Sequence, residues 1–270
     1  MTFILMNMND DSRLLQPDRF LKIQEFLSTR HTVKVSELSR ELNVSENTIR
    51  RDLVALEEAG ICFRTKGGAG LLQSSVSGAT FSRRLSQNRG VKSALARASV
   101  ALVQSGDTVI IGSGTTAYEI AVKLCEMEHI TVITSSLEAA QILTGLPELT
   151  LILSGGIVHG PSRSMTGSPA ENFFDTVNAD ILFLSVKGVS IEKGLTDHTI
   201  VEASVKQRMI TCAKRVVLIT DSGKLGQTAL GHVCDLAAVD TLITDDAADP
   251  AFLDLLRKRG IGIIQVSSKV

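Results

Sequence analysis

The chain has 270 residues, enough for two domains, and 44% of them are apolar, enough for a substantial core. Aromatic content is only 4%, with no Trp and a single Tyr, so aliphatic side chains must fill that core. A formal net charge of −1 excludes a globally basic nucleic-acid binder, and four scattered cysteines (Cys62, Cys125, Cys212, Cys234) with no CxxC fit neither a zinc site nor a disulfide framework, so reduced thiols in the cytoplasm are expected.

Residues 1–16 read as a flexible extension. Their short apolar start lacks a basic n-region and runs into Asp10 and Asp11, which suits neither a signal peptide nor a membrane span, and no later apolar run is long enough to cross a bilayer. A small domain is predicted over residues 17–70. Pro17 leads a helix with Phe20, Ile23, Phe26 and Leu27 on one side, and residues 31–35 form a short extended link. Ser36 is expected to cap a second helix over 37–42, and Asn43 suits the turn that follows, because Asn tolerates the left-handed backbone region. Ser45 is expected to cap a third helix whose apolar face is Ile49, Leu53 and Leu56. Asn47, Thr48, Arg50 and Arg51 fall off that face and suit phosphates and base edges, Arg being able to grip guanine through two hydrogen bonds. Helix, tight turn and helix is the arrangement that lays a second helix in the major groove of double-stranded DNA. Beyond Gly60, a hairpin or wing brings Arg64 and Lys66 towards phosphates, with Gly67 and Gly68 in its turn.

Here a resemblance becomes specific. The run Ser45-x-x-Thr48-Ile49-Arg50-Arg51-Asp52-Leu53-x-x-Leu56-Glu57-x-x-Gly60, followed by Arg64 and Gly67-Gly68-Ala69, resembles the N-terminal domain of the DeoR family of bacterial transcription regulators.

Residues 71–90, rich in Ser and Gly and carrying Arg83, Arg84 and Arg89, read as a linker that becomes ordered from about Phe81. Residues 91–270 read as a mostly parallel α/β domain. A helix over 91–104 is followed by short, continuous aliphatic runs at 108–111, 130–134, 149–153, 181–186, 216–220, 241–244 and 261–266, which fit strands buried on both faces. Helices are predicted between them at 115–127, 137–145, 169–178, 199–213 and 250–259. Such a domain carries its ligand crevice at the carboxyl ends of the strands.

The loops at those ends supply the candidate site. Gly112, Gly114, Thr115 and Thr116 open a helix with small residues, so a phosphate can approach backbone amides at the helix N-terminus. The string Gly112-x-Gly114-x-x-Ala117 also meets a loose dinucleotide fingerprint, but the second strand ends in Thr134, Ser135 and Ser136 with no acid for a ribose. Gly155 and Gly156 end the third strand, with His159 and the anion partner Arg163 beyond. Lys187 follows the fourth strand. Gly194-Leu195-Thr196 leads into a helix bearing Glu202 and Lys206, and Asp221, Ser222 and Lys224 follow the fifth strand on a Gly-containing loop suited to an anionic or polyol ligand.

Gly114-Thr115-Thr116, Thr134-x-Ser136, Gly155-Gly156, Gly194-Leu195-Thr196, Glu202 and Asp221-Ser222-x-Lys224-x-Gly226 resemble the sensor domain of the same family. That domain is similar to ribose-5-phosphate isomerase, and the resemblance implies a phosphorylated sugar or related metabolite as effector, with phosphate near Gly114–Thr116 and Lys224 closing over it. The chain departs from the family where Gly112 replaces a common Asp, Ser135 a common Asn, and Lys187 an acidic or small residue.

The expectation is a DNA-binding repressor of a carbohydrate-metabolism operon, acting as a homo-oligomer (dimer or tetramer), without cofactor or metal and without catalysis. Two alternatives are an isomerase-like enzyme using Glu202 and Lys224 as acid and base, and a repressor sensing a dinucleotide at Gly112–Ala117.

Overall fold

In the computed structural model, residues 16–30, 32–58, 62–71, 81–160 and 162–268 are described. The chain divides into two compact units, Met1–Gly78 and Ala79–Val270. Most of the expected extension, and residues 72–80 of the expected linker, lie outside the described residues.

The first unit runs α1 (Gln16–Arg30), β1 (Thr32–Lys34), α2 (Val35–Glu41), α3 (Glu46–Glu58), β2 (Cys62–Thr65) and β3 (Gly68–Leu71). Its core is built from Ile23 and Leu27 of α1, Leu38 and Leu42 around α2, and Ile49, Leu53 and Leu56 of α3, all buried. At roughly 1.5–3 kcal/mol for each fully buried aliphatic side chain, this small core is what holds the three helices together. Asp52, on the inward side of α3, is buried and accepts two bonds from the Arg19 guanidinium, at 2.8 and 3.0 Å, which tie α1 to α3.

Three local expectations are corrected. The extended link expected at 31–35 is a strand over 32–34 rather than a mere connector: β1 pairs antiparallel with β3 and makes the wing a three-stranded sheet of order β1-β3-β2. That pairing carries extended backbone up to Lys34, so α2 starts at Val35 and Ser36 falls inside its first turn. The N-cap Lys34 makes no side-chain bond, and the Val35 amide donates instead to the Gly67 carbonyl at 2.9 Å. Of the two wing glycines, Gly67 makes the turn with φ 118°, whereas Gly68 already belongs to β3, where a Cβ would stand 2.0 Å from the Val33 carbonyl oxygen. Asn43 does adopt the left-handed region, φ 50°.

The second unit opens with α4 (Phe81–Ser86) and α5 (Arg89–Val100). It continues β4 (Thr108–Ile111), α6 (Thr115–Leu124), β5 (Ile130–Thr134), α7 (Leu137–Leu143), β6 (Leu149–Leu153), β7 (Ile157–His159), β8 (Ser164–Thr166), α8 (Ser168–Phe174) and β9 (Ala179–Leu184). Then come β10 (Gly188–Ser190), β11 (Gly194–Asp197), α9 (Ile200–Thr211), β12 (Ala213–Ile219), β13 (Gly231–Cys234), β14 (Thr241–Asp245), α10 (Pro250–Arg257) and β15 (Gly262–Val266). The seven predicted strands form one parallel sheet of order β15-β14-β12-β9-β4-β5-β6. Successive residues point to opposite faces. Val109, Ile111 and Phe183 therefore pack with α5, α6 and α7, while Ile110, Leu182 and Leu184 pack with α8, α9 and α10.

Two small antiparallel elements stand where the sequence suggests loops: the hairpin β7–β8, and a sheet of order β10-β11-β13. Gly194-Leu195-Thr196 is thus strand rather than loop. Among the described residues no helix is long and apolar enough to cross a membrane.

Candidate functional site

Two candidate surfaces follow from this fold, one on each unit. On α3, the Ser45 hydroxyl accepts from the Thr48 amide at 3.2 Å and meets the Thr48 hydroxyl at 2.9 Å, which starts the helix where the sequence predicts. The turn before it is closed by the Ser39 hydroxyl, which donates to the Val44 carbonyl at 2.6 Å. With Ile49, Leu53 and Leu56 committed to the core, Asn47, Arg50 and Arg51 are exposed and Thr48 is half-buried on the outer face. Arg50 is engaged by Glu46 at 2.7 Å, one helical turn back. Among the described residues Arg51 has no such ion pair. On the wing, the Arg64 amide donates to Glu57 Oε1 at 2.9 Å and its guanidinium stands 4.0 Å from that carboxylate, while Lys66 is exposed at the β2–β3 turn. The outer face of α3 and the wing tip thus present four cations against two engaged carboxylates: a local basic surface on a chain of net charge −1.

The second surface lies at the carboxyl ends of the parallel strands. Strand order reverses between β4 and β9, since β5 and β6 extend one way and β12, β14 and β15 the other, and a crevice opens at such a switch point. The loop after β4 opens α6. Gly114 occupies its N-cap with φ 107°, a conformation glycine adopts freely, with open space where a Cβ would be. Among the described residues no side chain caps α6, so its first-turn amides at Thr115 and Thr116 face the crevice side with the helix dipole behind them.

Lysines converge on this end from the neighbouring strands. Lys187 follows β9, its amide bonded to the Thr196 carbonyl at 3.0 Å, so the β10-β11-β13 sheet fixes its backbone. Burial, with Lys224 and Arg84 adding like charge, brings the Lys187 ammonium down to about 8. Lys224 follows β12 on a 3-10 turn, 3.7 Å from Asp221, and burial pulls it below the ordinary lysine range despite that carboxylate. The turn is held by the buried Asp245 at the end of β14, which accepts from the Ser222 amide at 2.6 Å and its hydroxyl at 2.8 Å. Lys206 of α9 pairs with Asp197 of β11, both buried, and also donates to the Ser185 carbonyl at 2.6 Å. Burial opposes the Asp197 carboxylate, yet the Lys206 ammonium and the His198 amide hold it below its ordinary value. His198 is pushed down by burial and by Lys187, and its buried Nε2 has no hydrogen-bond partner among the described residues.

The other sequence candidates serve the fold in identifiable ways. Thr134 and Ser136 are fully buried: Thr134 Oγ1 accepts from the Ser136 amide at 3.0 Å, and the Ser136 hydroxyl caps α7. Ser135 is buried, its carbonyl accepting from the Met165 amide at 2.7 Å. Gly155 and Gly156 both have positive φ, and a Cβ on Gly156 would stand 2.6 Å from the Thr166 carbonyl oxygen. Arg163 is paired with the buried Glu138, whose carboxyl is raised by burial. His159 bonds Ser162 at 2.9 Å. Glu202 is buried in a reciprocal cap with Thr199: its amide donates to the Thr199 hydroxyl at 3.3 Å, and that hydroxyl donates back to Oε2 at 2.8 Å. Gly112 is buried with its amide on the Phe183 carbonyl, at 3.3 Å. Sequence reasoning assigned no role to Lys92, Asp197 or His198. The available signal was Lys92 as a lone lysine on the apolar side of its helix.

Comparison with known proteins gives two family matches. Residues 19–75 match the model of the DeoR-like helix-turn-helix domain, and residues 87–246 match that of the DeoR C terminal sensor domain. An uncharacterized HTH-type transcriptional regulator of Bacillus subtilis, YulB, is 36% identical over 94% of this chain and 98% of its own length. The putative aga operon transcriptional repressor of Escherichia coli O157:H7 is 32% identical over 92% and 93%, and the repressor GlcR of Bacillus subtilis is 32% identical over 93% and 96%. Among solved structures, ribose 5-phosphate isomerase A of Methanocaldococcus jannaschii covers 52% of this chain and 55% of its own, at 21% identity and TM-score 0.39.

Proposed function

This chain belongs to the DeoR family and is a DNA-binding transcription regulator, and from that premise we propose that it represses a carbohydrate-metabolism operon under the control of a phosphorylated sugar. The observation that carries the effector class is the meeting of uncapped α6 amides with Lys187 and Lys224 at the sheet's switch point. A helix N-terminus and ammonium groups held away from water both select for an anion of high charge density. In this reading Asp221, 3.7 Å from Lys224, serves as the acceptor for sugar hydroxyls. The outer face of α3, with Arg51 foremost, reads the operator, and Arg64 and Lys66 contact flanking phosphates. Two α3 helices on successive turns of the groove require a homo-oligomer, a dimer or a tetramer. The working compartment is the cytoplasm, where DNA and phosphorylated sugars meet.

The enzymatic alternative is disfavoured because Glu202, its candidate acid, is committed to Thr199. The dinucleotide alternative is disfavoured because β5 ends in buried hydroxyl residues rather than an acid. The decisive experiment is fluorescence anisotropy on the DNA upstream of the chain's own operon, with a salt titration and a panel of sugar phosphates. One sugar phosphate is expected to weaken specific binding, and Lys224→Ala to blunt that response while keeping DNA affinity. A normal dose response in Lys224→Ala refutes the ligand role. Turnover of a pentose phosphate by the purified chain would revive the enzyme.

A further inference from the structure

At the crevice end of the sheet most charged groups are already engaged within the chain. Both oxygens of the buried Asp197 are taken: Oδ1 accepts from the His198 amide at 2.7 Å, and Oδ2 from the Lys206 ammonium. Asp221 stands 3.7 Å from Lys224, and Glu202 accepts from the Thr199 hydroxyl. Lys92 gives two of its donors to the carbonyls of Arg84 and Gln87. Lys187 is different. Among the described residues no carboxylate pairs with its ammonium and no acceptor takes its protons. Its backbone is nonetheless fixed. Its amide donates to the Thr196 carbonyl, and the next residue, Gly188, is packed so closely that a Cβ there would stand 2.5 Å from the Gln227 carbonyl oxygen. His198 follows directly on β11, close enough to Lys187 for that ammonium to depress it, and its buried Nε2 is the second unmatched group. A buried polar nitrogen without a partner is destabilising until something bonds it. A neutral imidazole with its proton on Nε2 is a donor, as an ammonium is. Two such donors at one place suit an acceptor that carries negative charge, whereas a hydroxyl would leave the ammonium unbalanced.

We propose that the effector carries a second anionic group, a carboxylate or a second phosphoryl group, held by Lys187 Nζ and His198 Nε2, while its first phosphate takes the α6 amides and Lys224. The inference rests on the sugar-phosphate reading of the crevice and narrows it: the effector is a phosphorylated sugar acid or a sugar bisphosphate, not a sugar phosphate with a neutral far end. The two lysines are unequal in a way that fits two seats. Lys224 is partly balanced by Asp221 before any ligand arrives, whereas Lys187 gains its counter-charge only from a ligand charged at both ends. Inorganic phosphate, a single group, can occupy either seat.

The test is titration calorimetry on the full chain at pH 7 with three matched pairs: glycerol 3-phosphate against 3-phosphoglycerate, glucose 6-phosphate against 6-phosphogluconate, and fructose 6-phosphate against fructose 1,6-bisphosphate. Amide hydrogen exchange of 114–118 with inorganic phosphate reports the first seat separately. In wild type at least one doubly anionic probe should bind about tenfold or more tighter than its partner, and the pair that shows it tells carboxylate from phosphoryl. That ratio should fall to within about threefold in Lys187→Met, shrink in His198→Gln and persist in Lys187→Arg, which keeps the charge. Lys193→Met removes an equal charge from the exposed β10–β11 turn and should leave the ratio intact, which separates direct contact from long-range attraction. Lys187→Gln replaces Lys187→Met if the latter does not fold. If no doubly anionic probe outbinds its partner in wild type while inorganic phosphate still protects 114–118, the second anionic group is overturned and the phosphate reading stands. A ratio unchanged in folded Lys187→Met overturns the role of Lys187. No protection of 114–118 by inorganic phosphate or any probe overturns the phosphate reading, and this inference with it.

Discussion

Effector affinity should fall with pH in a window set by Lys187. Its ammonium titrates at about 8, because burial and the like charges of Lys224, Arg84 and Lys206 outweigh Asp197. If the anion needs this lysine charged, the apparent dissociation constant scales with the inverse of the charged fraction, so it rises about tenfold between pH 7 and pH 9. A sugar phosphate is already dianionic in that range, its second pKa being about 6, so the ligand does not contribute to the slope. Near pH 8 binding should take up about half a proton, visible as a buffer-dependent enthalpy in titration calorimetry. The ligand would be the sugar phosphate selected by the anisotropy panel, with inorganic phosphate as the minimal probe. Lys187→Arg should bind with a shallower slope, because a guanidinium stays charged throughout. Without ligand the sign is opposite: the folded chain loses this proton near 8 and the unfolded chain near 10.5, so between these values the unfolded chain holds more protons and this group's contribution to stability rises with pH. A dissociation constant flat from pH 7 to 9 in wild type, or the same slope in Lys187→Met, refutes the reasoning.

Other outcomes are equally definite. Arg51→Ala should weaken operator binding by about 1–3 kcal/mol, and Arg50→Ala by less because Glu46 already holds that side chain; unchanged affinity in both variants by anisotropy would remove α3 from the interface. Asp197→Ala leaves the Lys206 ammonium buried without its carboxylate and should cost about 3–5 kcal/mol in urea unfolding, most of it recovered in Asp197→Asn combined with Lys206→Met; a loss below about 1 kcal/mol would show that water reaches the pair. Stability owed to the Asp197 carboxylate is present above its ordinary value of 3.8 and disappears as pH drops through its lower folded value, so Asp197→Asn should flatten the acid end of the unfolding profile. Gly114→Ala meets no steric obstacle but must hold φ at 107°, which should cost about 1–3 kcal/mol and weaken ligand binding; wild-type affinity in calorimetry would place the anion elsewhere.

The parallel sheet was legible because its strands are short aliphatic runs buried on both faces, and the runs at 108–111, 130–134 and 149–153 match β4, β5 and β6 residue for residue. The β10-β11-β13 sheet was not, because its strands are three or four residues long and Leu195 pairs with Cys234 far along the chain, a partner that local periodicity cannot announce. The helix-turn-helix declared itself through Ser45, Asn43 and the spacing of Ile49, Leu53 and Leu56. At the crevice the sequence displayed loop residues at strand ends, but not which hydroxyls the backbone would claim: Thr134 and Ser136 are buried in their own turn. Glu202 illustrates the same competition. The Thr199-x-x-Glu202 spacing of a capping box was present in the sequence, and in the structure that cap holds its carboxylate. Asp197, and the partners of Lys92, were hidden for a different reason. Asp197 is paired with Lys206 on another element, and such a partner cannot be read from neighbours in the chain.

The bond between the Val35 amide and the Gly67 carbonyl joins the wing tip to the start of α2 through main-chain atoms alone. A clamp of this kind has no side chain to lose, so residues 64 and 66 can be exchanged for others while the wing keeps its place beside the helices. On the proposed reading, altering those two positions changes the hold on flanking phosphates, and so affinity and its salt dependence, with the spacing between wing and α3 inherited unchanged. The wing is in effect an interchangeable stylus in a fixed holder, and a designer seeking to retune its charge would begin there and leave Val35, Gly67 and Gly68 alone.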